Sequence, residues 1–371
     1  MTTNNGNEKR QGFYLNMGPQ HPSTHGVLRV LLEMDGEYVL EAEPVLGYGH
    51  RIQEKMGESR PWKGFMPNTS RLDYVGALIC THGYIGLIER MTGIEAPLRA
   101  EYIRVITSEL NRISSHLLWL GAFLLDLGAF TPIMYTFDDR EQILDILEDV
   151  TGSRLTYCYF RVGGVNRDID ATFIAKTRAF IERLRSRFRI YHDLVTTNII
   201  FIKRVQDIVH LTPDMAMRYG ITGPLLRSTG VGYDIRKSEP YSVYADFDFE
   251  VPVGTSGDCL EVYLVRLEEM EQSLRIIEQA LDRLPDGPHL AKTPKKLPLP
   301  QGDASFSVEA ARGEFTYYLV SDGSEVPYRL KIRSPCFSNL SILPELCRDM
   351  LLSDLVMVLG TLDLVIPEID R

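Results

Sequence analysis

The sequence predicts an α+β fold, mainly helical. An N-terminal β-hairpin region packs on a bundle of long helices, and a small C-terminal β/α region closes the chain. Three observations predict it. Asp35-Gly36 separates two apolar runs, Val27–Met34 and Glu37–Val45, which is a strong hairpin signal. Apolar residues recur every three or four positions at Ile103, Ile106, Leu110, Ile113, Leu117, Leu120 and Leu124, one continuous face of a long helix. Near the other end, Ser305–Ala310 and Glu314–Val320 alternate like strands, and Ser321-Asp322-Gly323 turns into Pro327–Ile332.

Taken in order, residues 1–11 are expected to form a flexible tail; no apolar core follows their charges, so no secretory signal is visible. Residues 12–46 form the β region. It carries Gly18-Pro19-Gln20-His21-Pro22-Ser23-Thr24-His25-Gly26, in which prolines and glycines impose a stiff turn rather than a helix. Residues 47–284 form a helical body. Its long helix begins near Pro97 and Glu101, with Arg104, Ser108, Asn111, Arg112 and Ser115 off the apolar face. Towards Trp119 the polar face disappears, so the C-terminal half is expected to be buried all round. Asp138–Val150 is a second helix, ended by Gly152 in a left-handed cap. Asp168–Arg189 and Tyr191–Gln206 read as a helical hairpin. Its first arm is basic (Arg183, Arg185, Arg187, Arg189), either a solvated face or a docking surface for an acidic partner. Asp258 caps a helix running to Leu284. Residues 285–304 are a proline- and lysine-rich linker, and 305–371 a C-terminal β/α region completing the same domain.

Composition narrows the function. The 371 residues are 44% hydrophobic and 24% charged, enough to bury a sizeable core. A net charge of −10 argues against a nucleic-acid surface. The longest membrane-like stretch, Leu117–Phe130, is interrupted by Asp126 and falls short of the roughly 20 apolar residues a span requires, so a cytoplasmic protein is expected. Cys80, Cys158, Cys259, Cys336 and Cys347 form no Cys-x-x-Cys pair, which argues against a disulfide framework and against a tetrathiolate zinc or iron–sulfur site. No glycine-rich fingerprint for a dinucleotide is found.

Four features can carry chemistry. His21 and His25, four apart in a rigid turn, are suited to proton transfer or ligation. Asp126 stands as the one charge in Leu117–Phe130. It either caps a turn near Gly128 or is a poised buried acid with a histidine partner, and the second role is favoured. Tyr74, beside Arg71 and Asp73 just before an apolar helix, can donate to a carbonyl. His50-Arg51, framed by Gly47 and Gly49, suits an anionic ligand or cluster.

Asn16-Met17-Gly18-Pro19-Gln20-His21-Pro22-Ser23-Thr24-His25-Gly26-Val27-Leu28-Arg29 resembles the start of the quinone-site subunits of respiratory complex I, relatives of the nickel–iron hydrogenase large subunit. Arg71-Leu72-Asp73-Tyr74, Tyr102-Ile103-Arg104-Val105, Leu125-Asp126-Leu127-Gly128-Ala129 and Arg161-Val162-Gly163-Gly164-Val165 match further on. So do Tyr233-Asp234-Ile235-Arg236-Lys237, Ser321-Asp322-Gly323 and the final Asp370-Arg371, all in family order. The resemblance implies a hydrogenase-large-subunit-like fold and a role in NADH:quinone oxidoreduction coupled to proton translocation. It implies that His25 and Tyr74 hydrogen-bond the quinone carbonyls, that Asp126 partners His25, and that Arg51 and Arg71 lie near an iron–sulfur cluster held by a partner. It further implies a quinone substrate with no nickel, iron–sulfur cluster, flavin or other metal in this chain. The implied partners are subunits of the B, C and I types and membrane subunits of the H and A types, with the protein peripheral on the cytoplasmic side of the plasma membrane. Alternatives are the equivalent subunit of a ferredoxin- or deazaflavin-fed relative, or a true nickel–iron hydrogenase large subunit; against the latter, Leu362-Asp363-Leu364-Val365-Ile366 offers no thiol. Thr156 stands where many relatives have a histidine near the cluster, and Gly49 and Ile52 depart from the family pattern around His50-Arg51.

Overall fold

The computed structural model describes residues 12–21, 26–294 and 296–371. It is an α+β fold dominated by helices. Arg29–Asp35 and Tyr38–Val45 form the expected hairpin, paired from Asp35 with Tyr38 to Arg29 with Val45, and Gly36 supplies the positive φ at the tip. Alternate residues of the first strand, Val30, Leu32 and Met34, are buried. Two strands join this pair. Phe13–Met17 runs antiparallel to Arg29–Asp35, and Met350–Leu351 adds to the far side of Tyr38–Val45. The histidine turn therefore connects two paired strands, with His21 bridged to Gly26.

The long helix spans Leu98–Asp126, with Pro97 at its N-cap. It packs against the helices Phe130–Thr151 and Cys259–Asp282. Asp258 caps the latter by accepting from Glu261 N at 2.8 Å, and Gly152 ends the former in the left-handed conformation. The next helix, Ala171–Tyr191, starts at Asp170, which accepts from Phe173 N at 2.8 Å. The anticipated second arm is broken. A π turn at His192–Thr196 gives way to Ile199–Val205, because Asn198 caps a new helix start through the backbone of Ile200 and Phe201.

Three of the four arginines on the basic arm are paired within the chain. Arg183 and Arg187 pair with Asp138 and Asp139, and Arg185 with Glu271 and Glu278. Those three charges are matched by the two neighbouring helices, while Arg189 is exposed beside Asp193.

Gly302–Ala310, Gly313–Ser321 and Arg329–Arg333 form a three-stranded antiparallel sheet on the helix Ala77–Thr92. Two apolar cores result. One joins the helices to this sheet; the other joins the N-terminal sheet to the C-terminal helices Leu352–Leu362 and Ile366–Asp370. All five cysteines are free thiols. Among the described residues no helix is long and apolar enough to cross a membrane.

Candidate functional site

Tyr74 lies in the turn before the helix Ala77–Thr92, and the residue ahead of it fixes that turn. Asp73 is fully buried. Its Oδ1 accepts from Val75 N at 3.0 Å and its Oδ2 from Arg312 Nη1 at 2.9 Å. A Cβ at Gly76 would stand 2.4 Å from Asp73 Oδ2, so the loop closes only around glycine there. The Tyr74 side chain emerges beside this ion pair, 36% exposed. Partial burial raises the pKa of its phenol; Arg312 pulls the other way, and Asp73, Asp363 and Cys336 add to the rise. Tyr74 therefore stays an O–H donor at neutral pH. Its cationic neighbour is Arg312. Arg71, the neighbour expected from the sequence, is exposed and donates to the Pro67 carbonyl instead.

Asp126 ends the long helix, followed by Gly128 at φ +81°. It is half-buried and Leu125 is 37% exposed. The expectation that this half of the helix is enclosed all round fails in its last turn. There the helix surfaces beside an apolar cleft of about 250 Å³ lined by Leu127, Pro132 and Phe201. Asp126 is thus half-buried at a helix end, not the deeply buried acid expected from the sequence. One neighbour of Asp126 is Gly360, whose ideal Cβ would sit 3.9 Å from Asp126 Oδ2 and whose carbonyl accepts from Trp119 Nε1 at 2.7 Å.

Gly360 belongs to a segment, residues 360–371, that meets or is bridged to each of the four candidate features. Three residues on, Asp363 accepts from Arg312 at 3.1 Å, the same guanidinium that holds Asp73 beneath Tyr74. Ile366 packs on Gly26, at the end of the histidine turn, where a Cβ would stand 2.8 Å from Ile366 Cγ1. Asp370 accepts from the backbone N–H of Gly47 at 2.9 Å and of Gly49 at 2.6 Å, and its carbonyl accepts from His50 Nδ1. The glycine-framed turn is thus shaped around a carboxylate of the chain itself, and it leaves Arg51 exposed. His25 lies outside the described residues. Thr156 is half-buried at φ +50°.

Behind the site the polar face of the long helix is buried, not solvated. Arg266 bridges Asp363 at 2.9 Å and His116 Nδ1 at 3.2 Å. Arginine only donates, so His116 Nδ1 accepts and its proton lies on Nε2, which donates to Glu269 at 3.1 Å. Burial pushes the His116 pKa down to about 4, keeping the ring neutral. The chain of pairs continues through Arg227 to Glu269 and Glu309, and through Arg236 to Asp234 and Glu109. Burial alone would raise the pKa of Glu109, but Arg112 and Arg236 bring it down to about 2. This row of paired charges gives the Asp73–Arg312 pair a fixed support.

Sequence reasoning missed Arg312 and Asp363. Each is remote in sequence from the residue it serves, and only an isolated charge inside an apolar run, as in Leu362-Asp363-Leu364-Val365-Ile366, hints at such a role. Among the described residues no three His, Cys, Asp or Glu side chains are placed to hold a metal ion.

The family model for the respiratory-chain NADH dehydrogenase 49 Kd subunit matches residues 126–301 and 294–371. The D subunit of an NADH-quinone oxidoreductase from Desulfotalea psychrophila is 59% identical over 360 residues, covering 97% of both chains. Its namesake from Syntrophobacter fumaroxidans is 59% identical over 362 residues, again 97% of both. Another of the same name, from Geobacillus thermodenitrificans, is 48% identical over 363 residues, 98% of this chain and 99% of its own.

Proposed function

Because the chain belongs to the family of the respiratory-chain NADH dehydrogenase 49 Kd subunit, we propose that it is the subunit of an NADH:quinone oxidoreductase that forms the quinone headgroup pocket. In this reading it is an oxidoreductase subunit, active in the assembled complex. Quinone is the substrate, and electrons come from an iron–sulfur cluster on a partner of the B type. Subunits of the C and I types and membrane subunits of the H and A types complete its surroundings at the cytoplasmic face of the membrane, where reduction is coupled to proton translocation.

The observation that carries the reading is the convergence on residues 360–371. Asp126, the flank of the histidine turn and the Gly47–Gly49 turn lie against that one segment, and Arg312 ties the Asp73–Tyr74 turn to it. Reduction of a quinone takes two electrons and two protons, so the headgroup needs two donors at its carbonyls. Tyr74 is one, a phenol held protonated at the surface of a buried ion pair. His25 is the other, with Asp126 as the carboxylate that orients and recharges it. Arg51 and Arg71, both exposed, face the partner's cluster.

The test is quinone reduction by the assembled complex. Tyr74→Phe and Asp126→Asn are expected to cut turnover by roughly a hundredfold while assembly persists, and His25→Ala to cost more than His21→Ala. Full turnover in both Tyr74→Phe and Asp126→Asn would reduce the chain to a scaffold.

A further inference from the structure

Among the described residues, the Asp73–Arg312–Asp363 cluster contains one acid more than its guanidiniums balance. Arg312 meets Asp73 and Asp363, and Arg266 meets Asp363. The two arginines match those two carboxylates. Glu368, 1% exposed, lies against the same cluster and makes no ion pair among the described residues. Its Oε1 accepts only from neutral donors, Ser334 Oγ at 2.7 Å and Cys336 N at 3.1 Å. The other titratable groups facing it are Asp73, Arg312, Cys80, Cys336 and Tyr317. Burial holds both thiols and the Tyr317 phenol protonated, so none of them offsets a charge on Glu368.

We propose that Glu368 is the proton-holding residue behind Tyr74: it carries the extra proton of this cluster and returns it, by way of Asp73, to Tyr74 after quinone reduction. The inference rests on the quinone-site reading of Tyr74. Burial first, then the charge of Asp73, raises the Glu368 pKa to about 7 against the pull of Arg312 and its two hydrogen bonds, so the proton is held and releasable near neutral pH. Asp73 is the carboxylate that both Tyr74 and Glu368 face.

The steps balance. The two electrons reach the quinone one at a time from the partner's cluster. Tyr74 breaks its O–H bond to protonate one quinone oxygen and becomes a phenolate, and His25 protonates the other carbonyl oxygen. The carboxyl O–H of Glu368 then breaks, its proton passes through Asp73 to the phenolate, and Glu368 is left as a carboxylate. A solvent proton restores it. Glu368 touches no reacting atom and acts through Tyr74, which makes it a positioning residue for the proton.

The experiment uses the assembled complex in its membrane and follows turnover with quinone against pH. Glu368→Gln keeps an acceptor for Ser334 and Cys336 but cannot release a proton. It is expected to lower kcat roughly tenfold or more with KM unchanged, and to abolish the fall in kcat as pH rises through the Glu368 range. Ser334→Ala removes a donor that favours the carboxylate, so the alkaline limb should move to higher pH with the maximal rate retained. That second variant carries the test alone if Glu368→Gln fails to assemble. A wild-type rate and pH profile in Glu368→Gln, or an unmoved limb in Ser334→Ala, overturns the proposal. If Tyr74→Phe loses turnover while Glu368→Gln keeps it, the proton role falls and the quinone site stands. If Tyr74→Phe keeps full turnover, both fall.

Discussion

Arg312 donates to Asp73 at 2.9 Å with both side chains out of water, and the same guanidinium reaches Asp363 at 3.1 Å. The first contact fixes the turn that presents Tyr74; the second ties that turn to the C-terminal segment. Removing one partner of a buried pair leaves an uncompensated charge, which costs about 3–5 kcal/mol. Arg312→Met would strand two carboxylates. Its expected outcome is failure to assemble, or a clear fall in unfolding temperature. Arg312→Lys keeps the charge but not the planar fork that spans both acids. It should assemble and reduce quinone slowly. A normal unfolding temperature in Arg312→Met would show that the pair carries no such weight.

The buried network should make the chain acid-sensitive in two steps, both of the same sign. His116 has a folded pKa of about 4 against an ordinary 6.5, so its neutral form is the folded one. Its contribution is complete above pH 6.5 and is lost as pH falls towards 4, on the order of 3 kcal/mol in all. Glu109, at about 2 against 4.5, contributes above pH 4.5 and loses that contribution between 4.5 and 2. Glu368, raised to about 7, acts with the opposite sign between pH 7 and 4.5. The His116 step is therefore read as the difference in unfolding temperature between the parent and His116→Gln over pH 4–6.5, and the net fall of the parent comes below pH 4.5. His116→Gln, which cannot take up a proton, should flatten the first step and leave the second. An identical slope in the variant would assign the first step elsewhere.

Much of the frame was legible because its signals are local. Asp35-Gly36, Pro97, Asp258 and Gly152 each act within a few residues of themselves, and each does what its chemistry dictates. The strand Phe13–Met17 was not separated from its surroundings, since its pairing with Arg29–Asp35 is made across the histidine turn. The polar residues of the long helix were legible only as lying off the apolar face, because periodicity reports which residues share a face, not what covers it. Arg104, Arg112 and Asn111 are covered, and besides Glu101 and Glu109 of the same helix their partners come from other segments. For the site, Tyr74 and the glycine turn were readable as motifs. What joins them, residues 360–371, was not, because its contacts with them span hundreds of positions.

Asp370 holds the Gly47–Gly49 turn through two charge-assisted hydrogen bonds from backbone N–H groups. Bonds of this kind are worth about 1.5–3 kcal/mol each. Asp370→Ala should loosen the turn that carries His50 and Arg51 while the helical core, which it does not touch, keeps its stability. Limited proteolysis is expected to cut near residues 46–52 in the variant and not in the parent, with turnover lowered. Cleavage elsewhere, or none, would mean the turn is shaped by its own glycines.

The seat of the histidine turn can be tested from both sides. Gly26 has φ +148°, and an added Cβ would press on Ile366 Cγ1 at 2.8 Å. Gly26→Ala therefore adds a steric clash to backbone strain of roughly 1–3 kcal/mol. Either the turn lifts off the C-terminal helix or Ile366 moves, and both displace what that segment positions. Quinone turnover should fall in Gly26→Ala. In the double variant with Ile366→Ala the clash is gone and only the strain remains, so turnover should be partly restored. Two residues in contact give non-additive effects, and a cycle over the four proteins measures the coupling. Strict additivity would place the end of the turn away from Ile366 in the working complex.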